Sequence, residues 1–186
     1  IINSFQSNHN EAVNDYTKAI EHSPKEFNYN SIVTKEEVAD YYYNRANSRV
    51  EIDDYKGALE DCIMSWKINC NAQNSKAPLM AGYLCFKDGL FKEALGYFTS
   101  ASSLYNGRVM RGRCEYELKN FREAYYQLNL AIGDDEKSPD AYFYRGKAGL
   151  ALNDTIGAIE DFNYVVKTNK LPLSDEAKEI LKSIQK

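Results

Sequence analysis

Few side chains in these 186 residues could do chemistry at neutral pH, and their spacing argues against a catalytic or metal centre. The two histidines, His9 and His22, form no H-E-x-x-H pair, and solvated surface roles are expected for both. The four cysteines, Cys62, Cys70, Cys85 and Cys114, include no C-x-x-C spacing. They read as small apolar side chains in a reducing compartment, not as a metal cage or a disulfide framework. The run Gly107 to Gly112 has the glycine skeleton of a phosphate loop, but Arg113-Cys114 stands where Lys-Ser/Thr would hold phosphate and magnesium. It also falls inside a helical pattern, where no such loop forms. The acidic cluster Asp134-Asp135-Glu136 lacks the alternating ligands and glycine of a calcium loop and is expected to be a solvated turn. Asn153-Asp154-Thr155 matches a glycosylation acceptor by letters alone. No catalytic residue, metal or cofactor is expected.

Composition narrows the field further. With 23 Lys+Arg against 27 Asp+Glu the formal charge is -4, which provides no overall pull toward nucleic acid or an anionic membrane. No apolar run approaches the roughly 18 to 20 residues that cross a bilayer, and Ile-Ile-Asn-Ser-Phe at the start lacks the charged and apolar regions of a signal peptide. The expectation is a soluble, cytoplasmic chain. It begins at Ile1 and not at Met, so it reads as part of a longer protein.

The elements that position these side chains follow a repeat. A small residue followed twelve positions later by alanine occurs four times, at Ala46 and Ala58, Gly82 and Ala94, Gly112 and Ala124, and Gly146 and Ala158. Four residues after each alanine comes a bulky or thiol side chain (Cys62, Phe98, Leu128, Phe162), and seven after it a small or β-branched one (Ser65, Ala101, Ala131, Val165). These spacings share one helical face, so each copy predicts two helices in close antiparallel approach. A turn signal separates the two: Asp53-Asp54-Tyr55, Asp88 to Phe91, Lys119-Asn120-Phe121, and Asn153-Asp154-Thr155. Ala12, Tyr16 and Ala19, followed by Pro24, make an incomplete earlier copy.

Successive alanines from Ala12 through Ala158 lie 46, 36, 30 and 34 residues apart. The segments Tyr42-Tyr43-Asn44-Arg45-Ala46, Asp88 to Leu95 and Ala158-Ile159-Glu160-Asp161-Phe162 resemble tetratricopeptide repeats, whose period is about 34 residues. The resemblance covers nearly the whole chain. It implies an all-α, right-handed superhelical array of antiparallel helix-turn-helix repeats: a partial repeat over 1–24, an insertion and helix start over 25–38, repeats over 39–71, 75–104, 105–138 and 139–170, and a capping helix over 172–186. The 46-residue interval places an insertion in Lys25 to Val33, before a helix opened by the capping box Thr34-Lys35-Glu36-Glu37. The 30-residue interval predicts a shortened junction near Tyr105 to Gly107. Ser138-Pro139 reads as a helix cap followed by a first-turn proline. After Leu171-Pro172, Ala177, Ile180, Leu181 and Ile184 line one side of the terminal helix.

In tetratricopeptide arrays the first helix of each repeat lines a concave groove, so the resemblance implies which side chains meet a partner. They are Tyr43, Asn44 and Asn47; Lys76, Leu79, Met80, Tyr83, Phe86 and Lys87; Val109, Met110, Arg113 and Tyr116; and Phe143, Tyr144 and Lys147. Large apolar residues where exposure is expected mark an interaction strip, and Met and Tyr suit adaptable contacts. The expected function is a non-catalytic scaffold that takes an apolar or amphipathic segment of a partner protein, within a larger complex, with no nucleic-acid partner and no membrane insertion. The alternative is a module similar to co-chaperones that clamp an acidic chaperone C-terminus. Asn44 and Lys76 match that clamp, but Met80 replaces its arginine and Ile1 its first asparagine.

Overall fold

The computed structural model describes residues 2–27, 31–70, 75–101, 105–135 and 137–184, except for the side chains of 2–7, 105 and 106. Among these residues there are helices and no strands, and the helices divide between two compact units, Ile1–Asp88 and Gly89–Lys186. The first unit holds α1 (Ile2–Glu21), α2 (Lys35–Glu51), α3 (Tyr55–Ile68) and α4 (Lys76–Lys87). Helices α2 and α3 form a hairpin, with α1 along α2 and α4 along α3. The second unit holds α5 (Phe91–Ser100), α6 (Tyr105–Glu117), α7 (Phe121–Asp134), α8 (Pro139–Ala151), α9 (Thr155–Thr168) and α10 (Leu173–Ile184). Here α6–α7 and α8–α9 are hairpins, α7 lies along α8, and α10 lies along α9 and touches α8. No helix among the described residues is long and apolar enough to cross a membrane.

In the hairpins α2–α3, α6–α7 and α8–α9 the twelve-residue spacing builds the core. Ala46, Gly82, Gly112 and Gly146 are buried, as are the alanines twelve residues later and the residues four and seven positions after those. A Cβ on Gly112 would sit 2.5 Å from Leu128 Cγ, and one on Gly146 would sit 3.0 Å from the Phe162 ring. The aromatic or leucine thus fills the space that the missing side chain leaves, which is how a small residue and a bulky one on facing helices reach interior packing density.

Caps and turns fix where the helices begin. Thr34 accepts from the Glu37 N–H at 3.1 Å while its own N–H donates to the Glu37 carboxylate at 2.8 Å, completing the capping box. Ser138 accepts from Ala141 N–H ahead of Pro139. In the turns between consecutive helices, Asp53, Gly89, Lys119 and Asn153 adopt positive φ between 61° and 75°. The next residue closes the turn by donating back to the first helix, as Asp54 does to Arg49 O (2.9 Å), Asn120 to Glu115 O (2.8 Å) and Asp154 to Gly149 O (2.9 Å). In the third of these turns the left-handed position falls on Lys119, a residue with no intrinsic preference for it, and not on the neighbouring Asn120.

One expected boundary moves. Tyr105 to Gly107 lie inside α6 and form no junction, and the shorter interval is taken up in α5, which has 10 residues where α3, α7 and α9 have 14. A Cβ on Gly107 would lie 2.4 Å from Ala101 O, so glycine lets the start of α6 press onto the end of α5. The insertion before α2 spans the interval between Glu21 and Lys35, within which residues 28–30 lie outside the described ones, as does Glu136 in the acidic turn.

Candidate functional site

In the first unit, α2 and α4 each expose one face to a cleft of about 350 Å³ lined by Tyr43, Val50, Lys76, Leu79, Met80, Tyr83 and Leu84. Five of these were expected to meet a partner. The lining is apolar except for the Lys76 ammonium and the tyrosine hydroxyls, and Tyr83 is 41 % exposed, a high value for a large aromatic beside a cleft. The other expected residues of this unit lie elsewhere. Asn47 spends its amide on Tyr43 O at 2.9 Å within its own helix. Lys87 lies 3.7 Å from the centre of the Tyr55 ring on α3. Asn44 is half-buried on α2, where its carbonyl accepts from the Ser48 hydroxyl, and Phe86 is half-buried on α4. Ile1 lies outside the described residues.

In the second unit the expected set splits. Arg113, Tyr116, Tyr144 and Lys147 gather where α6 and α8 meet: the Arg113 guanidinium lies 4.5 Å over Tyr144, and the Lys147 ammonium lies 5.1 Å from Tyr116 and 5.5 Å from Tyr144. These are cation–π distances, so the two cations are already seated on rings. Glu176 of α10 approaches Lys147 at 3.8 Å. Burial pushes both tyrosine hydroxyls above the ordinary phenol range. For Tyr144 the Arg113 charge pulls back against it. Val109, Met110 and Phe143, by contrast, are buried at 5 %, 3 % and 1 % exposure and are corrected out of the partner-facing set. Phe143 packs edge-on against Phe162, and Val109 packs with Leu128, Ala131 and Ala141, so both serve the hairpin cores. Adjacent positions on a first helix lie about 100° apart, and spacing alone does not tell the partner side from the side turned to the second helix.

Among the described residues no group of three or more potential metal ligands occurs, and no disulfide joins the four cysteines. Cys62 is buried and its thiol is pushed up to about 12, first by burial and then by the Asp61 and Cys85 charges, so it is not a nucleophile at neutral pH.

Sequence reasoning passed over a pair that recurs. Arg45 donates from Nε and Nη2 to Asp61 at 2.9 and 2.7 Å, and Arg145 does the same to Asp161 at 2.9 and 2.6 Å. The remaining nitrogen of each reaches the preceding hairpin or helix, Arg45 to Thr17 Oγ1 (2.9 Å) and Arg145 to Asn129 Oδ1 (2.7 Å). The carboxylate raises both guanidinium pKa values, while burial pushes the Asp161 carboxyl up and Arg145 pulls it back. The signal was present: arginine immediately before the small residue, and aspartate sixteen positions on, immediately before the bulky one.

No family model matches the chain. Among curated proteins it is 28 % identical over 167 residues to RNA polymerase II-associated protein 3 of Xenopus tropicalis, covering 83 % of this chain and 25 % of that one. Over 101 residues it is 33 % identical to the protein of the same name in Xenopus laevis, covering 51 % of this chain and 15 % of that one. This chain thus spans about a quarter or less of the length of these relatives. Among solved structures it is similar to YrrB, described as a TPR protein with an unusual peptide-binding site (TM-score 0.73, 21 % identity, 93 % of this chain and 84 % of that one). It is also similar to the first TPR of Spaghetti (RPAP3) bound to the HSP90 peptide SRMEEVD (TM-score 0.55, 24 % identity, 62 % and 97 %). The helix hairpins, their period and these likenesses give the chain the fold of tetratricopeptide-repeat proteins, all-α and built of tandem hairpins.

Proposed function

We propose that this chain is a non-catalytic protein-interaction module whose first unit seats an apolar side chain of a partner segment between α2 and α4, as part of a larger assembly. The observation that carries this reading is the apolar cleft of about 350 Å³ with Tyr83 left exposed beside it. Its test uses the full-length protein purified from its own source, as wild type and as the Met80→Ala, Tyr83→Ala double variant. The variant is expected to keep its helical circular-dichroism signal and to lose the copurifying partner by about tenfold, the scale of a truncated interface anchor. A folded variant that retains the same partners in the same amounts overturns the proposal.

A second reading draws on Lys76 at the rim of this cleft and on the likeness to a repeat solved with a chaperone peptide. It has Lys76 and Asn44 gripping a terminal carboxylate while the cleft takes the preceding apolar side chain. Calorimetry with SRMEEVD separates the two. The clamp requires binding that is lost on amidating the peptide's C-terminus and on Lys76→Met, whereas the apolar cleft alone predicts indifference to both.

A further inference from the structure

We propose that the hairpin α6–α7 carries a second docking surface, centred on Arg111, for an acidic side chain of a partner protein flanked by apolar residues. In the hairpins α2–α3 and α8–α9 the arginine before the small residue finds a carboxylate sixteen residues on. The hairpin α6–α7 keeps the arginine, as Arg111 before Gly112, but holds Gln127 where the carboxylate falls. The register rests on geometry as well as spacing, since a Cβ on Gly112 meets Leu128 as one on Gly146 meets Phe162. Arg111 Nε and Gln127 Oε1 are both buried without a hydrogen-bonding partner among the described residues, and the Gln127 amide nitrogen is taken by Glu123 at 2.6 Å. A neutral amide cannot replace the charge that Asp61 and Asp161 supply, so an anion from outside completes this site.

The surroundings say what kind of anion. On α8–α9 the equivalent place is a cleft of about 450 Å³ whose lining includes Tyr142, Arg145, Glu160, Asp161 and Tyr164. Thirty-four residues earlier these positions are Arg108, Arg111, Tyr126, Gln127 and Leu130. Tyr126 is 56 % exposed and Leu130 37 %. An acid on the later hairpin is therefore matched by an exposed ring here, and a second apolar side chain stands one turn on. Arg108 is already engaged by Asp134 at 2.7 Å, which leaves Arg111 as the charge to be met. One unmet cation on a hairpin that exposes Tyr126 and Leu130, on a chain of net charge -4, fits an acidic residue in an apolar protein segment and not a phosphate backbone.

The test is fluorescence anisotropy of the intact protein with the labelled peptide Gly-Leu-Asp-Asp-Leu-Gly and its Asn-for-Asp counterpart. Wild type is expected to bind the acidic peptide about tenfold more tightly than the amide one, as expected for a charge-assisted pair. Gln127→Asp completes the pair internally, so it should weaken acidic-peptide binding about tenfold with no loss of melting temperature. Arg111→Met should weaken it equally and keeps the test open if Gln127→Asp does not fold. Tyr83→Ala should leave this binding unchanged, which separates its failure from that of the cleft on the first unit. Equal affinity for the two peptides overturns the proposal, as does undiminished binding by a folded Gln127→Asp protein or an Arg111-dependent preference for a single-stranded oligonucleotide.

Discussion

At the scale of single residues, the arginine–aspartate pairs separate stability from recognition. Arg145 and Asp161 keep 18 % and 5 % of their side-chain surface, so the pair lies mostly out of water and is bidentate. Removing one partner leaves the other buried and uncompensated, which is the costly case. Asp161→Asn is expected to lower unfolding free energy by about 2–3 kcal/mol, read from urea denaturation, with the discount that Arg145 retains some solvent. Asp54→Asn, whose partner Arg49 sits at 3.5 Å and whose own side chain is 46 % exposed, should cost far less. These pairs were legible in principle, because the sixteen-residue spacing is in the sequence; what hid them is that an arginine and an aspartate on helices read as solvated charges until the partner helix is placed. The opposite error befell Val109, Met110 and Phe143, whose helical positions suit either face and whose burial only the neighbouring hairpin decides.

At the scale of elements, local rules carried most of the weight. The capping box at Thr34, the Ser138-Pro139 start and the terminal helix all lie where their residues place them, because each is fixed by contacts within four residues. The length of α5 was not legible, since its shortening is matched by Gly107 in the next helix and not by any stop signal of its own. Helical glycines divide sharply by what a methyl would meet. Gly112→Ala drives Cβ to within 2.5 Å of Leu128 Cγ and is expected to cost about 1–3 kcal/mol as overpacking. Gly96→Ala in α5 meets nothing within 4 Å and should gain about 0.5–1 kcal/mol from helix propensity. Thermal melts of the two variants side by side check both signs, and a stabilised Gly112→Ala protein would refute the close approach of α6 to α7.

At the scale of the molecule, the helical repeat was readable because four copies reinforce one another, whereas the partner-facing side chains were not, because an apolar residue on a first helix reads alike whether it faces a partner or a core. The last helix shows how the second unit closes. Ala177 is fully buried, and Leu173, Ile180, Leu181 and Ile184 pack around the cluster of Phe143, Phe162 and Val165. Ala177→Asp is expected to cost at least about 3 kcal/mol by placing an unpaired carboxylate in that cluster, and differential scanning calorimetry should show its transition lowered and broadened. An unchanged melt would mean that α10 contributes little to the unit.

The left-handed turn residues carry a consequence for how such a chain changes length. Asp53, Lys119 and Asn153 each sit seven residues after the small residue and five before the alanine of their own hairpin, while the spans from one hairpin to the next differ. The hairpin interior therefore keeps a rigid metre, and variation in length is pushed out to the joins and to the helix ends that meet them, as in the short α5. A chain of this design can be lengthened, trimmed or shuffled in whole cassettes cut at those joins, because each cassette brings its own turn, its own small residue and the bulky side chain that fills it.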